Sequence, residues 1–144
     1  SLLLNCLYAL SALHLPETMV KAVFELRAAC LAGYTPELFG CHVCGSQTPD
    51  RFDLSQGQLE CRTCRDPESS GIRVPVAPEM LEAMRYICLC GPKRLFAFRL
   101  GDGAMAALSS LTEGYLQTQL EHGFSALDFY KSLFAGPYDL GEKT

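Results

Sequence analysis

Read for apolar and polar positions, the chain opens with two helical stretches, passes through a polar middle and returns to helical pattern. Residues 2–13 place apolar side chains on every face, and 16–32 do much the same with few charges, Lys21, Glu25 and Arg27 among them. Both predict largely buried helices, since an apolar surface all round leaves no face for water. Pro16 suits a first helical position, and Gly33-Tyr-Thr-Pro36 is a stop signal. From 40 to 76 the periodicity vanishes: Gly, Pro, Asp, Ser and Gln dominate and apolar residues become isolated. This segment reads as an insert that cannot build its own core. Within it, Arg51-Phe-Asp-Leu54 and Gln58-Leu-Glu-Cys61 flank Ser55-Gln-Gly57, a hairpin whose return strand delivers Cys61.

Helical pattern resumes after Pro78, with Met80, Leu81, Met84, Ile87 and Cys88 on one side, and ends at Cys90-Gly-Pro92. Residues 95–100 alternate too weakly to assign. A longer helix is predicted from about Gly103, its stripe made of Met105, Leu108, Thr112, Tyr115 and Leu116 and its stop at Gly123. A last helix starts at Ser125 as N-cap, with Asp128 three residues on and Phe124 placed to staple onto Phe129. The expectation is a mainly α domain, a helical bundle built from 1–39 and 77–135 and interrupted by a four-cysteine zinc-finger insert at 40–76.

Composition narrows the class. At 144 residues, with 49% apolar and 19% charged, the chain has the makings of one globular domain that buries roughly two-thirds of its unfolded surface. A net charge of -4 gives no overall field for nucleic acid, so any such contact must come from a local basic cluster. The apolar opening lacks a basic leader, and Asn5 and Ser11 interrupt it short of the roughly 20 residues of a membrane span. It reads as a buried helix that begins mid-pattern without Met, as in a piece of a longer protein.

Of the eight cysteines, Cys6, Cys30, Cys88 and Cys90 lie in apolar helical stretches, where reduced thiols act as small hydrophobes and not as ligands. A reducing cytoplasm suits this pattern better than a disulfide scaffold. The other four form Cys41-His-Val-Cys44 and Cys61-Arg-Thr-Cys64, two C-x2-C pairs separated by 16 residues. A two-residue spacer lets one tight turn aim both thiolates at one ion, and two such turns complete a tetrahedral site. Redox dithiols or disulfides are the alternatives, but redox pairs usually stand singly at the start of a helix in a βαβ setting. The reading is one structural Zn2+ per chain, with iron as the remaining competitor for four thiolates. Four protein ligands leave no open position for a reacting water. His42, between two ligands, is expected to point away from the metal.

No nucleophile elbow, P-loop or dinucleotide fingerprint occurs, and no carboxylate pair accompanies His14 or His122, so enzymatic activity has no positive support. Arg51, Arg62, Arg65 and Arg73 make the insert the most basic local segment and the candidate nucleic-acid surface, although Asp50, Asp53, Glu60, Asp66 and Glu68 largely cancel them. Arg27, on an apolar helix, calls for an acidic partner or forms a basic rim beside an apolar groove. With Lys21 and Arg85 it is the candidate for binding an acidic partner peptide.

The run Ala22-Val-Phe-Glu-Leu-Arg27, then Gly33-Tyr-Thr-Pro36-Glu-Leu38, then Cys41-x-x-Cys44-Gly45, a hairpin and Cys61-x-x-Cys64 resembles the C-terminal part of the bacterial DNA repair protein RecO. Tyr115-Leu116, then Phe124-Ser125 with Leu127 to Leu133, is similar to that family's last two helices. The resemblance implies a cytoplasmic, nucleoid-associated recombination mediator without enzymatic activity. It implies annealing of single strands and recombinase loading with RecR and single-stranded-DNA-binding protein. Single-stranded DNA would be met mainly through the family's N-terminal OB-fold, which is not in this chain. Gly57-Gln58 departs from the two glycines common in relatives. GTPase-activating proteins for Arf share the cysteine spacing, but they carry a Trp between the pairs and a catalytic Arg five residues after the last cysteine. Here there is no Trp, and that position is Ser69; without the arginine finger, worth about 10³–10⁵ in rate, the mechanism is missing. A plain interaction module of unknown partner is the third reading.

Overall fold

A computed structural model of the chain describes residues 1–121 together with 131, 133 and 134. The predicted stop at Gly123 and the Ser125-capped helix with its Phe124 staple lie outside the described residues. Among those described, the elements are four helices and one small sheet: α1 (Leu2–Ser11), α2 (Glu17–Leu31), β1 (Arg51–Asp53), β2 (Gln58–Glu60), β3 (Arg73–Pro75), α3 (Pro78–Leu89) and α4 (Asp102–Glu121).

The three longer helices follow from their periodicity. α2 buries Met19, Val20, Ala22, Val23, Leu26, Ala28 and Ala29, and its small residues let α4 approach closely. α4 answers with the expected stripe of Met105, Leu108, Thr112, Tyr115 and Leu116, to which the structure adds Leu111. The polar members of this contact are satisfied: the Thr112 hydroxyl donates to Glu25 Oε1 at 2.9 Å, and Lys21 Nζ reaches Glu25 at 3.0 Å and Glu113 at 2.9 Å. α3 begins with Pro78 in its first turn, where a missing N–H costs nothing, and buries Met80, Leu81, Ala83, Met84 and Ile87. Residues 95–100 form no strand, yet Leu95 is buried and Phe96, Phe98 and Leu100 lean on the core.

Two expectations fail for physical reasons, and a third holds in an unexpected way. α1 is not buried on all faces. Among the described residues its main neighbour is α2, so a single stripe of Leu2, Cys6 and Ala9 is covered while Leu4, Leu7, Tyr8 and Leu10 stay exposed. A helix with one neighbour can bury only one stripe, whatever its composition. The polar middle builds no core of its own, as its composition predicts, and instead adds its few apolar residues to the shared one. Phe52 and Leu59 are fully buried, and Leu54 nearly so, in the same cluster as α2 and α4. Finally, the hairpin gains a third strand: β1 pairs antiparallel with β2 (Phe52 opposite Leu59) and on its other edge with β3 (Phe52 opposite Val74). Three residues ending in Pro75 carry no alternation long enough to be recognised as a strand.

The sheet is fastened to α4 by specific contacts. The Phe52 and Tyr115 rings meet edge to face at 5.5 Å between centroids, the Tyr115 hydroxyl donates to Tyr34 O at 2.6 Å, and Gln119 Nε2 donates to Leu54 O at 3.1 Å. Gly57 turns the hairpin at φ +64°, and a Cβ there would stand 2.9 Å from the Tyr115 hydroxyl. Glycine is therefore required twice over, for backbone conformation and for clearance.

Candidate metal centre

Cys41 and Cys44 sit on a tight turn ahead of β1; Cys61 precedes, and Cys64 ends, the 3-10 turn Arg62–Cys64 that follows β2. The first turn closes through Cys41 N–H to Ser46 O at 2.9 Å and Gly45 N–H to Cys41 O at 2.9 Å, with Gly45 at φ +74°. The second closes through Cys64 N–H to Cys61 O at 2.9 Å. An isolated parallel bridge joins Cys41 to Leu59, so β2 carries the second turn directly against the first. Position thus comes from the sheet, and aim comes from the two turns.

All four Sγ atoms lie within 4.8 Å of one another, and Cys44 and Cys61 approach to 3.8 Å. Cys41 is buried, Cys61 and Cys64 are half-buried and Cys44 is exposed. Burial disfavours ionisation of Cys41, but the amides of Cys44, Val43 and Cys61 outweigh it and lower its pKa to about 6. The Val43 and Cys61 N–H groups donate to that sulfur at 3.4 Å each. The opposite holds across the cluster. A hydrogen bond to Cys44, burial and the Cys41 sulfur push the Cys64 thiol up to about 12, and Cys61 shifts the same way. One thiolate is favoured by its amides while its neighbours resist ionising beside it, a conflict that a cation at the centre removes. The donor set and spacing fit one metal ion with four sulfur ligands.

Behind the cysteines is a network of buried charge. Arg73, an expected surface arginine, is folded inward with its side chain 7% exposed. Its Nε donates to Glu60 Oε1 at 2.8 Å, its guanidinium approaches Asp53 Oδ2 at 3.4 Å, and its remaining N–H groups meet Ser69 Oγ, Ser70 O and Gly71 O. Arg73 is therefore a brace between β3 and β2 and is not available to a phosphate. Ser69, the position where an arginine finger would stand, is one of its acceptors. His42 turns away from the cysteines and sets Nε2 at 3.2 Å from Glu60 Oε2. Burial alone would raise the Glu60 pKa, but Arg73 and His42 prevail and hold it below the ordinary carboxylate range. Sequence reasoning missed this network because its members are scattered among other acids and arginines of one polar segment.

Of the other basic candidates, Arg62 and Arg65 are exposed beside the second turn, and Arg51 is half-buried with NH1 donating to Asp50 O at 3.1 Å. Among the described residues Arg27 meets neither an acid nor a groove rim: its NH1 donates to Ile87 O at 2.9 Å and Cys90 O at 2.8 Å, capping the carbonyl end of α3. Lys21 is occupied by Glu25, Glu113 and Ser109. Arg85 donates through Nε to Leu38 O at 2.7 Å, pairs with Glu82, and lies over the exposed Phe39 ring at 5.6 Å. Arg85 also lines a surface groove of about 610 Å³ along α3, with Tyr86, Leu89, Phe98 and Arg99. Arg99 joins this groove from residues 95–100, which have no periodicity to announce it.

No helix among the described residues is long and apolar enough to cross a membrane. No solved structure gives a significant match to the chain. Known sequences do. The chain is 28% identical over 134 residues to the DNA repair protein RecO of Acetivibrio thermocellus, covering 92% of this chain and 53% of that protein. It is 41% identical over 93 residues to the RecO of Rubrobacter xylanophilus, covering 58% and 36%, and 26% identical over 139 residues to that of Symbiobacterium thermophilum, covering 88% and 54%. It thus spans about half the length of the full-length relatives it matches most extensively. The model of the C-terminal part of recombination protein O matches residues 1–128, and the chain belongs to that family.

Proposed function

We propose that this chain is the helical, zinc-holding part of a DNA repair and recombination mediator, that it catalyses no reaction, and that it serves as a docking domain. The ion is Zn2+, held by Cys41, Cys44, Cys61 and Cys64. When bound it supplies structure only, because the four thiolates leave no place for water. The mediator acts with RecR and single-stranded-DNA-binding protein in the cytoplasm at the nucleoid. Single-stranded DNA is met mainly by an OB-fold outside this chain, with Arg51, Arg62 and Arg65 as a minor contact.

The observation that carries the docking role is the groove along α3. Tyr86, Leu89 and Phe98 offer apolar walls, Leu89 being 64% exposed, while Glu79, Glu82, Arg85 and Arg99 stand at the margin; Glu82 is paired with Arg85, and among the described residues no acid pairs with Arg99. That combination suits an acidic peptide with an apolar end, the character of the tail of single-stranded-DNA-binding protein. Arg99 takes the place of Arg27, Lys21 and Arg85, whose cations are already engaged by Ile87 O and Cys90 O, by Glu25 and Glu113, and by Leu38 O and Glu82. With a net charge of -4, the chain has no field to hold a phosphate backbone by itself.

Fluorescence anisotropy with a labelled tail peptide and a labelled oligonucleotide, at near-physiological salt, tests the reading. The peptide is expected to bind, and Arg99→Glu to weaken it at least tenfold. Tight oligonucleotide binding with a steep salt slope and no peptide signal would overturn it.

A further inference from the structure

The two other cysteines that face each other are 58 residues apart in sequence. Cys30 lies one residue from the end of α2, and Cys88 one residue from the end of α3. Their Sγ atoms are 3.5 Å apart, as close as two thiols come without bonding. Both residues are half-buried and stand at the last turns of their helices, at the edge of the core and not inside it. The surroundings are asymmetric. Arg27, one turn before Cys30 on α2, brings its guanidinium to the same corner through Ile87 O, Cys90 O and, at 4.0 Å, Cys90 Sγ. A carbonyl end of a helix disfavours a thiolate, and a cation offsets that.

We propose that Cys30 and Cys88 are an oxidation site, a dithiol that a peroxide-class oxidant converts reversibly to a disulfide bridging α2 and α3. Cys30 is the attacking sulfur. Its pKa is lowered to about 7, first by its hydrogen-bonding contact with the Cys88 sulfur, against burial, and further by Thr35 and Arg27. Cys88 is shifted strongly upward, so it remains the protonated partner. The Cys30 thiolate attacks one peroxide oxygen, the O–O bond breaks, and Cys30 becomes a sulfenic acid while hydroxide leaves. The Cys88 sulfur then attacks the Cys30 sulfur and the S–OH bond breaks. The Cys88 proton and the one taken up by the departing hydroxide complete two waters per peroxide consumed. The sulfur pair loses two electrons and the peroxide gains them. Closing from 3.5 Å to the roughly 2.05 Å of a disulfide asks for a shift of about 1.5 Å, shared between side chains on two final helical turns. Cys90 is excluded by its own geometry, since its Sγ faces Ile87 O at 3.9 Å and the Arg27 guanidinium. The bridge pins α3, which carries the docking groove, to α2.

The test treats the zinc-loaded chain with a small excess of hydrogen peroxide, blocks free thiols and maps tryptic peptides without reduction. The fragment 28–51, which holds Cys30, is expected joined to 86–93, which holds Cys88 and Cys90, at a mass two hydrogens below the sum. Fragmentation should locate the bond at Cys30. The link should survive Cys90→Ser, vanish in Cys88→Ser, and open with dithiothreitol. The wild-type map stands even if the Cys88→Ser protein fails to fold. A link through Cys90, a bond from Cys41 or Cys44 to 86–93, or Cys30 recovered as an irreversible sulfinic acid with Cys88 free, would each overturn the assignment. Zinc content read on the same sample separates this outcome from damage at the four-cysteine centre.

Discussion

Leu26 on α2 and Phe52 on β1 are both fully buried, yet their surroundings reach that state by different routes. Around Leu26, α2 and α4 bring two apolar stripes together, and burial at about 25 cal/mol per Å² suffices to hold them. Around Phe52, each strand has three residues, too few for a sheet to persist alone. That half depends on three other devices: the Phe52–Tyr115 and Gln119–Leu54 contacts to α4, the Arg73 brace, and the four thiols. The contrast teaches that the cysteine-bearing segment is neither an independent finger nor a passive loop. It borrows its apolar floor from the helices and supplies its own polar and sulfur ceiling.

Removing the metal should divide the two halves most sharply. Structural zinc is worth roughly 10–16 kcal/mol in small peptides, so Cys61→Ser, or a strong chelator, should collapse the ordered state of residues 40–76. Because Phe52 and Tyr115 share one contact, α4 should lose protection in the same step, while α2 and α3 keep theirs. Hydrogen exchange by mass spectrometry, with zinc measured by elemental analysis, checks this. A stoichiometry near zero in protein purified without added metal would remove the zinc assignment.

Phe52→Ala should cost about 3–5 kcal/mol in chemical denaturation and leave the zinc content near one. A loss confined to the sheet, with α4 protection unchanged, would mean that the halves are separable after all. Arg73→Ala should cost a similar amount, roughly 3–5 kcal/mol, because it strands the buried Glu60 and Asp53 carboxylates. It should leave the salt dependence of any oligonucleotide binding untouched.

Glu60 sharpens the comparison through pH. Its folded-state pKa lies below the ordinary value of about 4.3, so its ionised form adds stability above that value. The contribution fades as pH falls through the lowered folded value. The stability gap between wild type and Glu60→Gln should therefore be full at neutral pH, about 1–3 kcal/mol, and shrink in acid. A gap that does not change with pH would show that the carboxylate is held for shape and not for charge. The smallest effect belongs to Arg62→Ala and Arg65→Ala, both exposed: within about 0.5 kcal/mol in stability. If they touch phosphate, each should lower the salt slope of oligonucleotide binding by about one.

Local features were legible in the sequence because they depend on neighbours along the chain. The 3.6-residue stripes of α2, α3 and α4, the Ser55-Gln-Gly57 turn and the two C-x2-C pairs all fall within a few positions of one another, where backbone geometry alone decides what faces what. Tertiary packing decided the rest. α1 and α2 look alike in composition, but among the described residues α2 has α1, α3 and α4 around it while α1 has α2 as its main neighbour, so Leu7 and Tyr8 face outward where Val23 and Leu26 face in. Arg73 and Arg62 stand in one polar segment, yet strand pairing turned the first onto Glu60 and left the second in water. Arg27 found its acceptors on α3, 60 and 63 residues away, and Cys30 met Cys88 across 58, separations at which no periodicity carries information.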